Sequence, residues 1–416
     1  MDTASRSVAS TGIAQSRGQD MNIARKVSRL DSVDLLRGLV MVFMALDHVR
    51  YPYFTDMAAF PEDMRSTYAA LFLTRWVTHF CAPMFFFLAG TGAYLSLVQG
   101  RTIKEVSGFF FKRGLWLVFL ELTIIAFAWS FLPSWRFGGV IWSLGWSMAL
   151  MSLIVRMPVK WIATFGVGVI ALHNLLDTVS PQSFGRFSWL WRILYSGGLV
   201  RIESLDFNFP ILYSLIPWVG VMAAGYATGR ILTREPERRR RWLIITGAAM
   251  TAAFILLRAT NLYGNPASFA AQETLEKSFI LFLNVNKYPA SLQFLLMTIG
   301  PSLLFLGLVD RFDFRSAMGW VARKIIVIGR VPMFYYLLHI FLIHLLAIAT
   351  GAILGQPVSW MWNSPLPLGR PQVEGYGHGL PFIYAMTLAV VILLYFPCRW
   401  FAEVKRRRKD WWLRYL

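Results

Sequence analysis

The stretch Arg29–Tyr51, RLDSVDLLRGLVMVFMALDHVRY, has the length and apolar content of a membrane-spanning helix, yet it carries charged and titratable side chains. Those within the apolar part are Asp34, Arg37, Asp47 and His48. A charge at the centre of a bilayer costs about 2.5–3.5 kcal/mol on insertion scales, so such residues usually face a bundle interior or a wet cavity. We therefore predict that this stretch is a first membrane span enclosed by the rest of the chain.

The spacing of the polar residues places them on one side of this helix. Asp34, Arg37, Met41, Met44 and His48 recur at steps of three and four residues, which puts them on one stripe. Arg37 lies about three turns before His48, which is about 16 Å along the axis. We interpret the stripe as a track through the membrane, with a cationic anchor at one end and a titratable imidazole at the other.

The composition supports a polytopic membrane protein. The chain has 416 residues, of which 56% are hydrophobic and 15% are charged, and its mean hydropathy is +0.51. A soluble domain carries about 25% charged residues. The two cysteines, Cys81 and Cys398, lie far apart in or near apolar segments, so they indicate neither a disulfide framework nor a zinc site. We expect them to act as small apolar packing residues.

The hydrophobic segments predict an all-α fold of about ten transmembrane helices, because each approaches or exceeds the roughly 20 residues that a crossing helix needs. The predicted spans are 31–50, 71–98, 114–132, 138–155, 161–177, 209–229, 242–259, 290–309, 325–350 and 381–400. Residues 186–202 are predicted to form an interfacial amphipathic helix. Residues 1–28 are predicted to be a disordered cytoplasmic tail, 29–402 the transmembrane domain, and 403–416 a basic cytoplasmic tail.

The net charge of +19 does not indicate nucleic-acid binding, because the basic residues form short runs beside hydrophobic spans without an aromatic–basic module. With ten spans and both termini cytoplasmic, the tails and alternate loops hold 28 of the 41 Lys and Arg residues, and the opposite loops hold 9. This asymmetry is the positive-inside pattern. The runs EPERRRR (235–241) and VKRRRKD (404–410) are then topology anchors.

Three other predicted spans also carry costly polar residues. The second contains His79, the third contains Glu121, and the ninth contains Tyr336 and His339, which are three residues apart and can share a face. His344 lies five residues after His339 and points elsewhere, so these two histidines do not form a local metal pair. The sequence contains no phosphate-binding glycine loop, no HExxH and no GxSxG.

Each residue of the first two spans has a structural alternative beside its functional interpretation. His48 is a candidate for catalysis or substrate binding, or a helix-end histidine at the headgroup boundary. Arg37 is a candidate ligand for an anion, or the ion-pair partner of Asp34 one turn away. Asp47 projects about 100° from His48, so it need not touch that imidazole, and it could face the headgroups. His79 could instead bond a carbonyl oxygen.

The candidates in the other spans have comparable alternatives. Arg330 lies near the depth of Arg37 and could bind the same anion, or it could extend to the surface by snorkelling. His339 and Tyr336 could contact substrate or form interhelical hydrogen bonds. Glu121 is as compatible with a structural role as with a functional one.

Three motifs resemble one family of bacterial membrane proteins. RLDSVDLLRGLVMVFMALDHVR, RWVTHFCAPMFFFLAGTGAYL and GRVPMFYYLLHIFLIH are similar to the proteins grouped with the heparan-α-glucosaminide N-acetyltransferase catalytic domain. That group lies within a wider transmembrane acyltransferase superfamily, whose first-helix Arg–x10–His signature maps onto Arg37 and His48. Together with the ten predicted spans, the order of these motifs extends the resemblance over most of the chain.

The resemblance implies an acyltransferase of the bacterial inner (plasma) membrane, with acetyl-CoA as co-substrate and no metal. The acceptor would be a glycan or amino sugar at the outer face, and the acyl group would be transferred to a hydroxyl or an amine. The lysosomal enzyme of the family has its acetyl-accepting histidine in the loop after the first helix. Here that loop, 51–70, contains no histidine, so the role carried over to His48 is that of a general base.

The resemblance and the residue positions together suggest a role for each candidate. The catalytic candidates are His48, Asp47 and His79. The candidates for holding the CoA phosphates are Arg37 and Arg330, and those for binding substrate or stabilising the oxyanion are Tyr336 and His339, with His79 as an alternative oxyanion donor.

Two other classes of function remain open at the level of sequence. Intramembrane His, Asp and Glu also form proton relays, so a proton-coupled transporter or flippase of a small or lipid-linked substrate is the alternative. A nonenzymatic scaffold or sensor is a third, which the single stripe of buried charges disfavours. The sequence leaves open whether the chain forms a homodimer.

Overall fold

The computed structural model describes six parts of the chain. These are residues 30–50, 61–202, 207–314, 316, 319–362 and 373–416. The predicted disordered tail 1–28 lies outside the described residues. The described parts form a helical protein that also contains one short β-hairpin.

Among the described residues there are fifteen α-helices, nine of them up to Leu232 and six after it. The first set is α1 (Asp31–His48), α2 (Ala69–Trp76), α3 (Cys81–Val98), α4 (Ile103–Leu120), α5 (Ala126–Ser130), α6 (Val140–Ile154), α7 (Val159–Leu172), α8 (Ser188–Trp191) and α9 (Ile216–Leu232). The second set is α10 (Pro236–Thr260), α11 (Leu275–Leu283), α12 (Leu292–Val309), α13 (Trp320–Arg330), α14 (Pro332–Ile353) and α15 (Leu380–Arg407). One-turn 3₁₀ and π segments join α2 to α3, and α4 to α5.

Each of the ten predicted spans overlaps helix, and six continuous helical stretches are long and apolar enough to cross a membrane. They are Ala69–Val98, Val159–Leu176, Pro236–Thr260, Leu292–Val309, Pro332–Ile353 and Leu380–Arg407. The helix α1 is less apolar because it carries Asp31 and the four charged or titratable residues of the predicted stripe and its end. The chain is therefore a multi-pass membrane protein.

The prediction of an interfacial helix over 186–202 is wrong in its second half. Helical turns end at Ser196, and Gly198–Ile202 then pairs antiparallel with Phe207–Ile211 as strands β1 and β2. Gly197 and Gly198 have positive φ (67° and 92°), which an L side chain rarely adopts and which ends the helix. The predicted span 209–229 consequently begins later, at Ile216.

The predicted ninth span, 325–350, is two helices rather than one. Helix α13 ends at Arg330, and α14 begins at Pro332. Proline lacks the N–H that would continue the first helix, and it disfavours helical geometry at the preceding residue. Val331 accordingly has φ −132° and ψ 51°. The break makes α13 and α14 separate helices, so that α13 can pack against the first turns of α1.

Close backbone contact between helices depends on glycine at two crossings. A Cβ at Gly90 of α3 would lie 2.0 Å from the Met222 carbonyl oxygen of α9, and a Cβ at Gly225 would lie 2.0 Å from that of Phe87. At the crossing of α1 and α13, a Cβ at Gly329 would lie 1.9 Å from the Asp34 carbonyl oxygen. Small residues at helix crossings are typical of membrane bundles.

The polar residues at the end of the predicted fifth span, 161–177, have a structural role. At the end of α7, His173 Nε2 lies 2.7 Å from the Ala290 carbonyl oxygen, and Asn174 Oδ1 accepts a hydrogen bond of 2.7 Å from the Leu292 N–H. Asp177 accepts a hydrogen bond from the Tyr195 hydroxyl. These bonds attach the end of α7 to the connection that precedes α12.

A buried arginine closes the end of α10. Arg258 is fully buried, and its guanidinium donates to the carbonyl oxygens of Leu281, Phe282 and Asn284 at the end of α11, and to that of Ala267. Among the described residues no carboxylate forms an ion pair with it. Its charge is thus balanced by the carbonyl ends of a helix, where cations are stabilised.

We expect Arg258→Met to destabilise the protein by about 3 kcal/mol, because buried carbonyl groups left without donors cost about 1–3 kcal/mol each. The thermal midpoint of the purified protein should fall by several degrees. Arg230→Met is the matched control, because Arg230 is exposed in the last turn of α9. Equal midpoints for the two variants would contradict this role of Arg258.

Candidate active site

Two histidines from distant parts of the chain meet where α1 ends. His48 Nδ1 lies 2.7 Å from His339 Nε2, and the two rings stack at a centroid distance of 4.9 Å with an interplanar angle of 18°. His339 is fully buried, whereas His48 is half-buried. The predicted stripe on α1 and the predicted polar face of α14 therefore face each other.

The partners of His339 determine which nitrogen of each ring carries the proton. His339 Nδ1 lies 2.5 Å from the Tyr336 carbonyl oxygen and 3.2 Å from that of Tyr335, and a carbonyl can only accept. Nδ1 of His339 therefore donates, and Nε2 of the neutral ring is an acceptor. His48 then donates from Nδ1, which leaves the lone pair on its Nε2. The arrangement presents His48 as a base held in one tautomer.

Two aromatic side chains surround the His48 ring. Trp129 makes an edge contact at a centroid distance of 4.7 Å, and Tyr336 makes one at 6.5 Å. Trp129 lies in α5, after the π turn Glu121–Ile125, and π turns are often found at functional sites. Tyr336 is buried and lies one turn before His339 in α14. The imidazole is therefore surrounded by side chains from two other helices, α5 and α14.

Glu121 lies close to this cluster and has a structural explanation for its position. It is fully buried, and its carboxyl group lies close to the backbone N–H groups of Gly139, Ile141 and Trp142, where α6 begins. A Cβ at Gly139 would lie 2.0 Å from Glu121 Oε1, so only glycine leaves room for the carboxyl group. Glu121 is also near enough to Tyr336 to interact with it electrostatically.

Asp47 does not pair with His48 and instead joins two arginines. Its Oδ1 accepts a hydrogen bond of 3.0 Å from Arg50, and its Oδ2 accepts one of 2.6 Å from Arg75 of α2. Arg75 also contacts Glu62 at 2.9 Å. Asp47 thus holds the end of α1 to α2, as its predicted projection away from His48 allows.

His79 belongs to the same charged cluster and forms no hydrogen bond or ring contact with His48. Its Nε2 lies 3.5 Å from Glu62 Oε1, and its ring packs edge-on against Phe294 at 5.4 Å. Burial raises the pKa of Glu62, but the Arg75 guanidinium and the neighbouring His79 lower it by more than burial raises it. The pKa of Glu62 is therefore well below its ordinary value. Glu62 is therefore an anion at neutral pH.

At the other end of the α1 stripe, Arg37 and Arg330 lie together. Arg37 forms an ion pair with Asp34 at 2.9 Å and donates to the Gly329 carbonyl oxygen at 3.3 Å. Arg330 contacts Asp31 at 3.1 Å. The predicted alternative for Arg37, pairing with Asp34, is present in the structure. The close crossing of α1 and α13 at Gly329 brings the two arginines to one place.

Both arginines line a cavity of about 340 Å³ that leads from this basic end towards Tyr336. Three further cations line it: Arg101, Arg113 and Lys405. In the described parts of the chain, Arg101 and Arg113 form no ion pair with an acidic side chain. The rest of the wall is mainly apolar, and Tyr336 is the lining residue that contacts His48.

The sequence interpretation missed Arg101, Arg113 and Lys405 because it assigned them to loops or to the C-terminal tail as topology anchors. The predicted third span began at residue 114, whereas α4 begins at Ile103, which places Arg113 about three turns inside a helix. The pattern FFFKRGLWLVF, with two cations inside an apolar run, is a signal that could have identified it.

The comparison with known families agrees with this geometry. Residues 29–263 match the family model described as "Heparan-alpha-glucosaminide N-acetyltransferase, catalytic", which is more than half of the chain. The chain belongs to this family. The resemblance inferred from the motifs is thereby confirmed, and the protein is a multi-pass member of an acetyltransferase family that uses acetyl-CoA.

The matched region contains His48, Arg37, Arg101 and Arg113 but ends before α14. His339 therefore lies outside it, and its place beside His48 is known from the structure. No curated protein matches the chain.

The tautomer of His48 is a testable consequence of the bond to His339. We expect ¹⁵N NMR of histidine-labelled protein to show neutral His48 as the Nδ1–H form, and we expect His339→Ala to give a mixture of tautomers because the acceptor is lost. His173→Gln is the control, because His173 bonds to backbone carbonyls elsewhere. An unchanged His48 spectrum in His339→Ala would show that His339 does not fix the tautomer.

Proposed function

We propose that the protein transfers an acetyl or short acyl group from acyl-CoA, bound at the basic end, to a sugar hydroxyl or amine at the opposite face. The observation that carries this proposal is the cavity that leads from five cationic side chains to Tyr336, the neighbour of His48. CoA has the matching shape, since its phosphates are at one end of a thin arm and the thioester is at the other. Arginine is well suited to bind phosphate.

The basic end would hold the nucleotide part of CoA. Arg101 and Arg113 have no carboxylate partner in the described chain, and both guanidinium groups lie over the ring of Phe109, at 5.4 and 5.7 Å. Arg113 and Arg37 are near enough to repel each other, so a bound polyanion would relieve this repulsion. Arg37 and Arg330 would add to the same field although each also contacts an aspartate.

The chemistry would take place where the cavity meets the imidazole. The acceptor oxygen or nitrogen would attack the thioester carbonyl carbon while His48 Nε2 takes its proton. The tetrahedral intermediate would carry the negative charge on the former carbonyl oxygen, to which the Tyr336 hydroxyl would donate. Collapse would break the C–S bond, and the His48 imidazolium would return the proton to the CoA sulfur. His339 would hold the His48 ring throughout.

The charge distribution supports a direction of transfer. The cavity mouth lies on the side where the basic runs cluster, and the positive-inside pattern assigns that side to the cytoplasm, where acyl-CoA is made. The acceptor would then approach His48 from the outer face of a bacterial inner membrane.

The first test is release of free thiol from acetyl-CoA by the purified protein in nanodiscs, with a panel of hexosamines and glycans. We expect acceptor-dependent release in the wild type and a loss of at least 10²-fold in His48→Ala, the range for a general base. His173→Gln is the control for the loss of a histidine that supports only structure. A folded His48→Ala protein with full transferase activity would exclude His48 as the base.

The second test concerns the cavity. A Cβ at Gly92 would have nothing within 4 Å, and Gly92 lines the cavity. We expect Gly92→Leu to fold normally and to weaken acetyl-CoA binding at least tenfold, because the added side chain occupies the path of the pantetheine arm. The measurement is titration calorimetry with acetyl-CoA.

The matched control is Gly108→Leu, since Gly108 is also a helical glycine with nothing within 4 Å but does not line the cavity. Equal acetyl-CoA affinity in wild type and Gly92→Leu would mean that this cavity is not the CoA site.

A further inference from the structure

A second cationic site lies at the His48 end of the bundle, and the mechanism above does not use it. Its central residue is Lys287, in the connection between α11 and α12, which is 8% exposed. Its ammonium lies 5.2 Å from the centroid of the Tyr288 ring. In the described parts of the chain, no carboxylate is within ion-pair distance of Lys287. Burying an ammonium without an anionic partner is costly, so the position requires an explanation.

The acidic residues of this region are already engaged by arginines. Asp47 contacts both Arg50 and Arg75, and Glu62 contacts Arg75. Among the described residues of this region, two anions thus face three cations, of which Lys287 is the one without a carboxylate. Lys287 is near enough to Asp47 and to His48 to interact with both electrostatically. The described part of the region beside the His48 imidazole therefore carries more positive than negative charges.

His79 supplies an unused hydrogen-bonding group in the same place. It is 1% exposed, and neither ring nitrogen forms a hydrogen bond with the part of the chain that the structure describes. The contact of Nε2 with Glu62 is long, at 3.5 Å. Buried polar groups are normally satisfied. His79 is also near enough to Lys287 for their charges to interact.

The connection that carries Lys287 is held in place by several hydrogen bonds. The Ala290 carbonyl oxygen contacts His173 at 2.7 Å, and the Asn286 N–H donates to Asn265 Oδ1 at 2.7 Å. The hydroxyl groups of Tyr288 and Tyr213 lie 3.4 Å apart. Lys287 is therefore presented by a preorganised loop, as a binding residue would be.

From these observations we propose that Lys287 and His79, supported by Arg75, bind an anionic oxygen group of the acyl acceptor, such as a carboxylate, sulfate or phosphate on a sugar. This rests on the proposed function, since it places the acceptor on the Asp47 side of His48. The anion would pair with the Lys287 ammonium and accept a hydrogen bond from His79. That pairing would orient the neighbouring hydroxyl or amine towards His48 Nε2, so Lys287 would be a specificity-determining residue.

The test compares charged and neutral sugars with the full chain in nanodiscs of phosphatidylcholine. The probes with an anionic group are glucosamine 6-sulfate, glucosamine 6-phosphate and glucuronic acid. The references without that group are glucosamine for the first two probes and glucose for the third. Binding is measured by titration calorimetry, and transfer by thiol release from acetyl-CoA. We expect at least one charged probe to bind about tenfold more tightly than its reference, the size of one charge-assisted hydrogen bond.

Substitutions at Lys287 separate recognition from structure. We expect Lys287→Gln to lose the preference for the charged probe while leaving the affinity for glucosamine and for acetyl-CoA unchanged, and Lys287→Arg to retain most of it. Lys277→Gln is the matched control, because Lys277 is an exposed lysine in α11 of the same region. The thermal midpoints of all variants report on folding.

Several outcomes would overturn the proposal. One is that the wild type binds the anionic probe no more tightly than its reference. Another is that the preference for the anionic probe survives in Lys287→Gln. A third is that Lys287→Gln loses affinity equally for the anionic probe and its reference, which would indicate a purely structural lysine. Loss of the sugar preference when phosphatidylglycerol is added to the nanodiscs would assign the site to a lipid headgroup and overturn the assignment to the acceptor.

The same experiment distinguishes this proposal from the proposed function. Lys287-dependent binding of a charged sugar without thiol release would support the anion site and contradict acyl transfer. Transfer to charged and neutral sugars with equal kcat/KM would support acyl transfer and contradict the anion site.

Discussion

The hydrogen bond between His48 and His339 joins the end of α1 to the third turn of α14, and the rest of the site is arranged about it. A lone imidazole at a helix end could adopt either tautomer and several ring orientations. The two carbonyl groups of α14 that accept from His339 remove that freedom, because they can act only as acceptors. A backbone carbonyl here plays the part that a buried carboxylate has in other histidine bases, without placing a net charge in the membrane.

The helix crossing at Gly38 and Gly329 supports the opposite end of the same stripe. Because α13 comes within van der Waals contact of the α1 backbone, Arg37 and Arg330 reach one place from separate helices. The aspartates that pair with them reduce the cost of holding these cations in an apolar bundle. These aspartates also reduce the positive electrostatic potential that Arg37 and Arg330 produce in the cavity, and Arg101 and Arg113 add to that potential.

The sequence was informative where the cost of burying charge is high. The apolar runs located the helices, and the three- and four-residue spacing identified the stripe with Arg37 and His48 on one face. The shared face of Tyr336 and His339 followed from the same spacing. Local spacing could not show that α14 lies against α1, because that contact joins residues 291 positions apart.

Two kinds of error have a common physical cause. Arg113 was assigned to a loop because a cation at a segment edge looks the same whether the helix begins before or after it. The strands 198–202 and 207–211 were missed because their pairing is a nonlocal property that an aromatic, apolar segment does not reveal. In both cases the secondary structure depends on residues that are close in space, and a single sequence does not show which residues these are.

The wall between the two ends of the cavity bears on the choice between transferase and transporter. Among the described residues that line the cavity, the titratable side chains are the five cations at the mouth and Tyr336 at the inner end. The intervening wall includes Met41, Met84, Leu88 and Met148. A proton relay needs groups that exchange protons at hydrogen-bonding distance along the path. An apolar wall of this kind instead suits a thin, mostly uncharged arm whose charged end stays outside. The geometry thus favours delivery of a thioester to His48 over movement of ions past it.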